Sequence, residues 1–204
     1  MAVLLVRHGE TALNAARVMQ PAGGTPLSER GLAKARAVAL RLARRGGIGA
    51  LLSSDLPRAR LTAEAIGAAV SLPVEASARL QERNFGDLRG RPYDTLGFDP
   101  LVMQEAPPGG ESAVAFAERV QQAFDEMLQR HAAAHADLVV VTHGLLIRML
   151  LAGPLRMGAD APGHLGNTSL SIFDAEPPHL LQLLNCTRHL DEAKRDDAHG
   201  LSGG

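Results

Sequence analysis

Cysteine occurs once in the 204 residues, at Cys186. A single thiol excludes an intramolecular disulfide framework and fits a reducing compartment, where Cys186 reads as a small buried hydrophobe. No apolar run approaches the roughly 20 residues of a membrane-spanning helix. The start lacks a basic stretch ahead of an apolar one, so no secretory leader is expected and a cytoplasmic location is. Excess charge of either sign is missing too. The formal net charge is −1, which removes the basic footprint of a nucleic-acid or acidic-membrane binder. Repeats and low-complexity blocks are absent. With 46% hydrophobic residues, the chain can bury a real core, and one domain over residues 1–190 with a polar tail at 191–204 is expected.

What is present is an alternation of strand-like and helix-like segments. Ala2 to Val6 is a continuous apolar run, too short for a helix and suited to a central parallel strand. Glu10 to Val18 reads as a short helix, and Ser28 opens a longer one to about Arg45 with Leu32, Ala35, Ala39 and Leu42 on one face. Ile48 to Leu52 is the next strand, followed by a helix from Pro57 to about Val70 and an extended piece around Pro73-Val74-Glu75. Residues 84–110, rich in Gly and Pro, read as an irregular, lid-like cover. The spacing predicts a long helix over residues 111–134 with an acidic first turn at Glu111, and with Val114, Ala117, Val120, Phe124 and Leu128 facing inward. Asp137 to Thr142 is a strand, Leu145 to Ala152 a buried helix. Ser169 to Asp174 and Leu180 to Asn185 read as late strands, joined as a hairpin across Pro177-Pro178. This order predicts an α/β fold: three layers, α/β/α, with a mostly parallel central sheet.

In such folds ligands bind beyond the carboxyl ends of the strands. Here those ends are Arg7-His8-Gly9, Ser53-Ser54-Asp55 and Thr142-His143-Gly144. One histidine after a strand is usually a surface or capping residue. Two of them, each followed by glycine and one beside an arginine, make a stronger pattern, because glycine lets the backbone turn sharply and a ligand come close. Metal binding is the rival reading. The histidines stand 135 positions apart (His8 and His143) without nearby ligands at metal spacing, and Arg7 beside His8 repels a cation. An anion suits the pair better, since guanidinium forks onto phosphate oxygens. Arg58 and Arg60 lie in the first turn of the second long helix, whose positive end adds to that attraction.

VRHGETALN, SSDLPRARLTAEAI, LQERNFGDLRG, PPGGES and VVVTHG, in this order, resemble the histidine phosphatase superfamily, the phosphoglycerate-mutase-like group. A late Asn167-Thr168-Ser169 also fits. The resemblance implies that His8 is transiently phosphorylated and that Arg7, Arg58 and His143 complete a phosphate pocket. It further implies that Asn14 is another phosphate ligand, that Gly144 borders the substrate, and that Glu82 is the proton donor. Neutral imidazole, with an intrinsic pKa near ~6.5, can attack phosphorus without prior proton removal. Departures occur where Leu13 and Leu88 stand at frequent tryptophan positions, and where Thr25 replaces an acidic residue, leaving contacts around residues 20–25 open. His131, His135, His164, His179, His189 and His199 lack motif context and are expected at the surface.

The resemblance implies a phosphomonoesterase acting on a small phosphorylated metabolite, with no cofactor or metal, no nucleic-acid partner and no membrane partner. A mutase using the same pocket and a catalytically silent binding module are the alternatives. Homodimers are common among similar proteins, so the resemblance is compatible with a homodimer. The stretch from Glu82 to His143 is compact, has no lysine and carries four acidic side chains within residues 92–112. That composition favours hydrolysis over isomerisation.

Overall fold

The computed structural model describes residues 1–21 and 24–190. Six strands form one sheet in the order β3-β2-β4-β1-β5-β6. They are β1 (Ala2–Arg7), β2 (Ile48–Ser54), β3 (Glu75–Ser77), β4 (Asp137–Thr142), β5 (Leu170–Asp174) and β6 (Leu181–Cys186). The pairs β2–β3, β2–β4 and β1–β4 are parallel, whereas β1–β5 and β5–β6 are antiparallel. The sheet is therefore mostly parallel, and the expected hairpin across Pro177-Pro178 is its antiparallel edge.

Alternation along the strands splits the core into two layers, because successive side chains point to opposite faces. Ala2, Leu4, Val6, Val139 and Val141 pack with Val38, Leu42, Ala63 and Ile66 on one side. Val3, Leu5, Leu138 and Val140 pack with Phe116, Val120, Leu146 and Leu150 on the other. The first side is covered by helices α2 (Glu29–Arg45) and α3 (Pro57–Val70), the second by α4 (Ala113–Ala134) and α5 (Gly144–Ala152). This is the three-layer arrangement the sequence predicts.

Local chemistry sets the helix ends. Ser28 caps α2 by accepting the Gly31 N–H, and Gly46 leaves the helix at φ 66°. Pro57 occupies the first turn of α3, where its missing N–H costs nothing. Ser112 caps α4 through the Ala115 N–H.

Several expectations need correction. The helix expected over residues 10–18 is a single turn, α1 (Ala12–Ala15), held by a Thr11–Asn14 capping box. Strand β2 continues past Leu52 to Ser54, because both serines are sealed inside. Helix α4 has no acidic first turn; Glu111 precedes the cap and binds Arg119. Its inward face is Phe116, Val120, Ala123, Phe124, Met127 and His131, while Val114 is 67% exposed and Ala117 also faces out. The outer face carries Glu118, Gln121, Gln122, Asp125 and Gln129, so Val120 and Phe124 face inward as expected, while Phe116 and Met127 rather than Val114 and Ala117 complete the buried stripe. His131 is accordingly buried, not at the surface. His189 is partly buried and contacts Arg41 and the Thr168 hydroxyl. Cys186 is only partly buried on the edge strand β6, with its Sγ 3.3 Å from Arg41 Nη1. His199 and the tail at 191–204 lie outside the described residues.

Residues 84–110 contain three short 3-10 turns and no longer element, matching the irregular cover. Its middle is sewn to the segment after α1. Met19 N–H donates to the Arg91 carbonyl, Gly90 N–H to that of Met19, and Tyr93 N–H to that of Arg17. Among the described residues no helix is long and apolar enough to cross a membrane.

Candidate active site

The register of the parallel strands fixes the place where polar groups meet. Arg7 at the end of β1 lies opposite Thr142 at the end of β4, and Ser53 of β2 opposite Val141. The chain after each strand therefore emerges at one edge of the sheet. His8 and His143 follow β1 and β4 there, with ring centroids 5.2 Å apart. Arg7, His8, Arg58 and His143 are each no more than 2% exposed. Arg58 arrives from the first turn of α3 and places Nε 3.3 Å from His8 Nε2.

A hydrogen-bond frame orders these side chains. His8 Nδ1 lies 2.7 Å from the Gly9 carbonyl oxygen, which can only accept, so the neutral ring keeps its proton on Nδ1. Nε2 then carries the lone pair, facing the Arg58 Nε–H. Thr62 Oγ1 accepts the Gly9 N–H at 2.9 Å and donates to the Arg58 carbonyl at 2.8 Å, tying the loop after β1 to α3. Asn167 Nδ2 donates to the His8 carbonyl at 3.1 Å, and Thr168 N–H to that of Arg7 at 3.0 Å. The Arg7 guanidinium donates to the Leu165 carbonyl. The late Asn167-Thr168-Ser169 segment thus braces both residues from behind.

Helix packing gives Gly9 a reason of its own. A side chain there would approach the Gly31 carbonyl to 2.8 Å, and one on Gly31 would sit 1.9 Å from the Glu10 carbonyl oxygen. Glycine at these positions lets α2 press against the loop after β1.

His143 Nε2 is 2.8 Å from Ser54 Oγ. Ser54 Oγ also accepts the Leu56 N–H at 3.3 Å; its O–H, which has no other acceptor among the described residues, donates to Nε2, which puts the His143 proton on Nδ1. That Nδ1 is buried without a partner among the described residues. Burial holds the His143 pKa well below the ordinary histidine value, helped by the charges of Arg58 and Arg7. His143 is therefore a neutral ring offering one N–H. Burial also lowers the Arg58 pKa to about 10, with Arg7 and Arg89 acting in the same direction against Glu82.

Glu82 follows a 3-10 turn (Ala78–Leu80) fixed by Thr142 Oγ1 donating to the Leu80 carbonyl at 2.7 Å. Arg119 of α4 grips the same segment, donating to the Gln81 carbonyl at 2.7 Å and the Glu82 carbonyl at 3.3 Å. The Glu82 carboxyl accepts the Arg83 N–H at 3.1 Å and the Leu145 N–H at 3.0 Å, at the N-terminus of α5. Those bonds and the nearby arginines favour the anion, but burial outweighs them and raises the pKa above the usual glutamate value. A carboxyl that keeps its proton longer than usual beside an imidazole, two guanidiniums and a second imidazole has the parts for phosphoryl transfer with general acid assistance.

Of the remaining expected residues, Asn14 has Oδ1 on the Thr11 N–H and a buried Nδ2 without a partner among the described residues. Gly144 is buried as the first residue of α5. Arg60 does not join the group; it is exposed and pairs with Glu64 at 3.0 Å. Sequence reasoning missed Tyr93, whose buried hydroxyl has no partner among the described residues and whose pKa is pushed up by burial and then by Glu82. It also left Gln20, Arg83 and Arg89 without a role, although they line the cleft over Arg58 and Glu82 together with Leu56, Gln81 and Phe85. The available signal for Tyr93 was rarity, as the only tyrosine in the chain. No group of three or more His, Cys, Asp or Glu that could hold a metal occurs among the described residues.

Residues 3–187 match the histidine phosphatase superfamily (branch 1). A probable phosphoglycerate mutase GpmB of Yersinia pestis is 35% identical over 212 residues, covering 96% of this chain and 97% of the relative. Two solved structures are similar over nearly their whole length. A mycobacterial glucosyl-3-phosphoglycerate phosphatase has 30% identity and a TM-score of 0.77, covering 91% of this chain and 99% of that one. A putative alpha-ribazole-5'-P phosphatase from Escherichia coli has 28% identity and a TM-score of 0.77, covering 92% and 97%. With the motif order, the sheet topology and the paired histidines at one sheet edge all in agreement, the chain belongs to the histidine phosphatase superfamily.

Proposed function

We propose that the protein is a metal-independent phosphomonoesterase working through phosphohistidine. The observation that carries this reading is His8, sealed from solvent with its Nε2 lone pair beside Arg58 and the neutral His143 ring 5.2 Å away. In the first step His8 Nε2 forms a bond to phosphorus as the ester P–O bond breaks, and the leaving alkoxide takes the Glu82 proton. In the second, Glu82 accepts a proton from water as that water attacks phosphorus, and the N–P bond breaks to release phosphate and restore His8. Arg7, Arg58, Asn14 and the His143 Nδ1–H hold the phosphoryl oxygens, with Gly144 at the border of the substrate. Removing such a donor costs about 10²–10³ in rate, so Arg58→Ala should lower kcat/KM by at least about 10². A loss below tenfold would remove Arg58 from the pocket.

Hydrolysis rather than isomerisation rests on the cover. A mutase must retain a doubly phosphorylated intermediate and exclude water, yet after Arg83, Arg89 and Arg91 the next cation is Arg119, and residues 92–112 offer four acidic side chains instead. The deciding assay supplies 3-phosphoglycerate with catalytic 2,3-bisphosphoglycerate in the presence of a chelator, following both isomers and free phosphate. Free phosphate should accumulate. Rapid isomerisation with little phosphate would make the protein a mutase, and activity lost to the chelator and restored by one divalent ion would make it a metalloenzyme.

A further inference from the structure

Behind the phosphate pocket, away from the cleft, a directed chain of hydrogen bonds runs from the end of β6 to the backbone of His8. After β6 the chain folds into a turn, closed by the Leu190 N–H on the Thr187 carbonyl at 2.9 Å, and Leu190 is buried. This turn carries His189 between α2 and the segment 166–169. Arg41 of α2 places Nη1 3.1 Å from His189 Nδ1 and 3.4 Å from the Cys186 carbonyl oxygen. Guanidinium can only donate, so His189 Nδ1 accepts and the ring proton sits on Nε2. That Nε2 lies 3.2 Å from Thr168 Oγ1 and donates to it, because the Thr168 hydroxyl gives its own proton to the Asn167 carbonyl at 2.6 Å. Burial and then the Arg41 charge lower the His189 pKa to about 4, which keeps the ring neutral, as this order of donors requires.

Thr168 needs such support. Its φ is 58°, in the left-handed region, which a β-branched residue occupies only under constraint. In that conformation its N–H reaches the Arg7 carbonyl at 3.0 Å and the His8 carbonyl at 3.3 Å, while Asn167 Nδ2 donates to the His8 carbonyl at 3.1 Å. Relaxation of Thr168 towards an ordinary φ would swing its N–H away and release the peptide planes of Arg7 and His8. The entry to the same segment has its own anchor, the Gly166 N–H on Asn185 Oδ1 at 2.9 Å. Losing the support at Thr168 therefore loosens one end without undoing the whole. We propose that His189 is a positioning residue for the nucleophile, holding Thr168 in its left-handed conformation and, through it, the backbone of Arg7 and His8. The inference rests on the phosphohistidine reading and extends it to the turn after β6.

His189→Leu keeps an apolar side chain in place of the ring and removes both bonds. It should lower kcat about tenfold, because small displacements of a reacting atom are costly, with KM within about twofold since Arg58, His143 and Asn14 come from other elements. The loss should be equal for alkyl phosphates and p-nitrophenyl phosphate, because both depend on the same attack by His8. His189→Gln, which can accept from Arg41 and donate to Thr168, should recover most of the rate. Thr168→Val cuts the chain at its other end, and combining it with His189→Leu should add less than about twofold to the larger single loss, as for two residues in one network. In the unliganded protein the ring-nitrogen NMR resonances of His8, assigned by their loss in His8→Ala, should move in His189→Leu and return in His189→Gln. If the leucine variant fails to fold, Arg41→Met removes the donor to Nδ1 and should change kcat and the His8 resonances in the same direction. A kcat within about twofold of the parent with unmoved His8 resonances overturns the proposal even if the melting temperature falls. A double variant whose losses multiply overturns it too, as does a glutamine variant no better than leucine. Absence of phosphate release from any ester by the parent would count against the phosphatase reading alone, because the His8 resonances would still decide the role of His189.

Discussion

His8→Ala should abolish turnover, lowering kcat by about 10⁴-fold or more, as loss of a catalytic nucleophile does elsewhere. Denaturing quench of the parent enzyme during turnover should trap a phosphoenzyme stable to base and labile to acid, and the variant should yield none. The expectation comes from the tautomer. The Gly9 carbonyl fixes the proton on Nδ1, so Nε2 can attack phosphorus without waiting for a base, and no neighbouring side chain duplicates that lone pair. His143 cannot substitute, because the Ser54 hydroxyl holds its Nε2 and leaves Nδ1 as a donor. Retained binding of phosphate or vanadate by the variant separates a lost nucleophile from a lost fold, since Arg7, Arg58 and Asn14 remain. Near-normal turnover by His8→Ala, or a phosphoenzyme that survives acid, would end the phosphohistidine mechanism.

Arg7, His8 and His143 were legible from local pattern, whereas Asn14 and Glu82 were marked by the family resemblance alone. An apolar run of strand length followed by Arg7-His8-Gly9 or His143-Gly144 says where a strand ends, and parallel pairing brings such ends together. Pro57 marks the first turn of α3 and with it both Arg58 and Arg60, and the family resemblance singled out Arg58. Periodicity placed Val120, Phe124 and Leu128 of α4 against the core and misplaced only Val114 and Ala117, near a helix start where Ala113, Ala115 and Ala117 carry little contrast. The irregular cover was legible as such, but the segment it pairs with was not. Its backbone pairs with Arg17 to Met19, more than 70 positions earlier, and no pattern within residues 84–110 announces that partner. Tyr93 and Arg89 reach the site only through this long-range stitch, so neither could be given a role from spacing. Gly9 shows that one residue can carry a reason the sequence does not display. The resemblance marks it, but only the 2.8 Å approach to Gly31 shows that helix packing requires it.

Glu82→Gln should divide substrates by their leaving group. Alkyl phosphates release a strongly basic alkoxide and need the proton that Glu82 supplies, so kcat/KM should fall by about 10²–10⁴. p-Nitrophenyl phosphate releases a stable phenolate and should lose less than about tenfold. The pH profile carries the same signature. Burial raises the Glu82 pKa above its ordinary value, so the parent enzyme should lose activity on alkyl esters as pH rises through that raised value, and the variant should lack that alkaline limb. Stability supplies an independent check. A carboxyl whose folded pKa is raised favours the folded state fully below its unfolded pKa of about 4.3. That contribution is lost as pH climbs through the folded pKa, because unfolding then lets the buried group ionise. Glutamine cannot ionise, although its amide gives up one of the two acceptors that serve Arg83 N–H and Leu145 N–H. The absolute unfolding midpoint of the variant therefore carries an offset, but its difference from the parent should shift in the variant's favour as pH increases from 4 towards alkaline values. Equal losses on both leaving groups, together with a pH-independent stability difference, would show that Glu82 is neither the proton donor nor a strained buried acid.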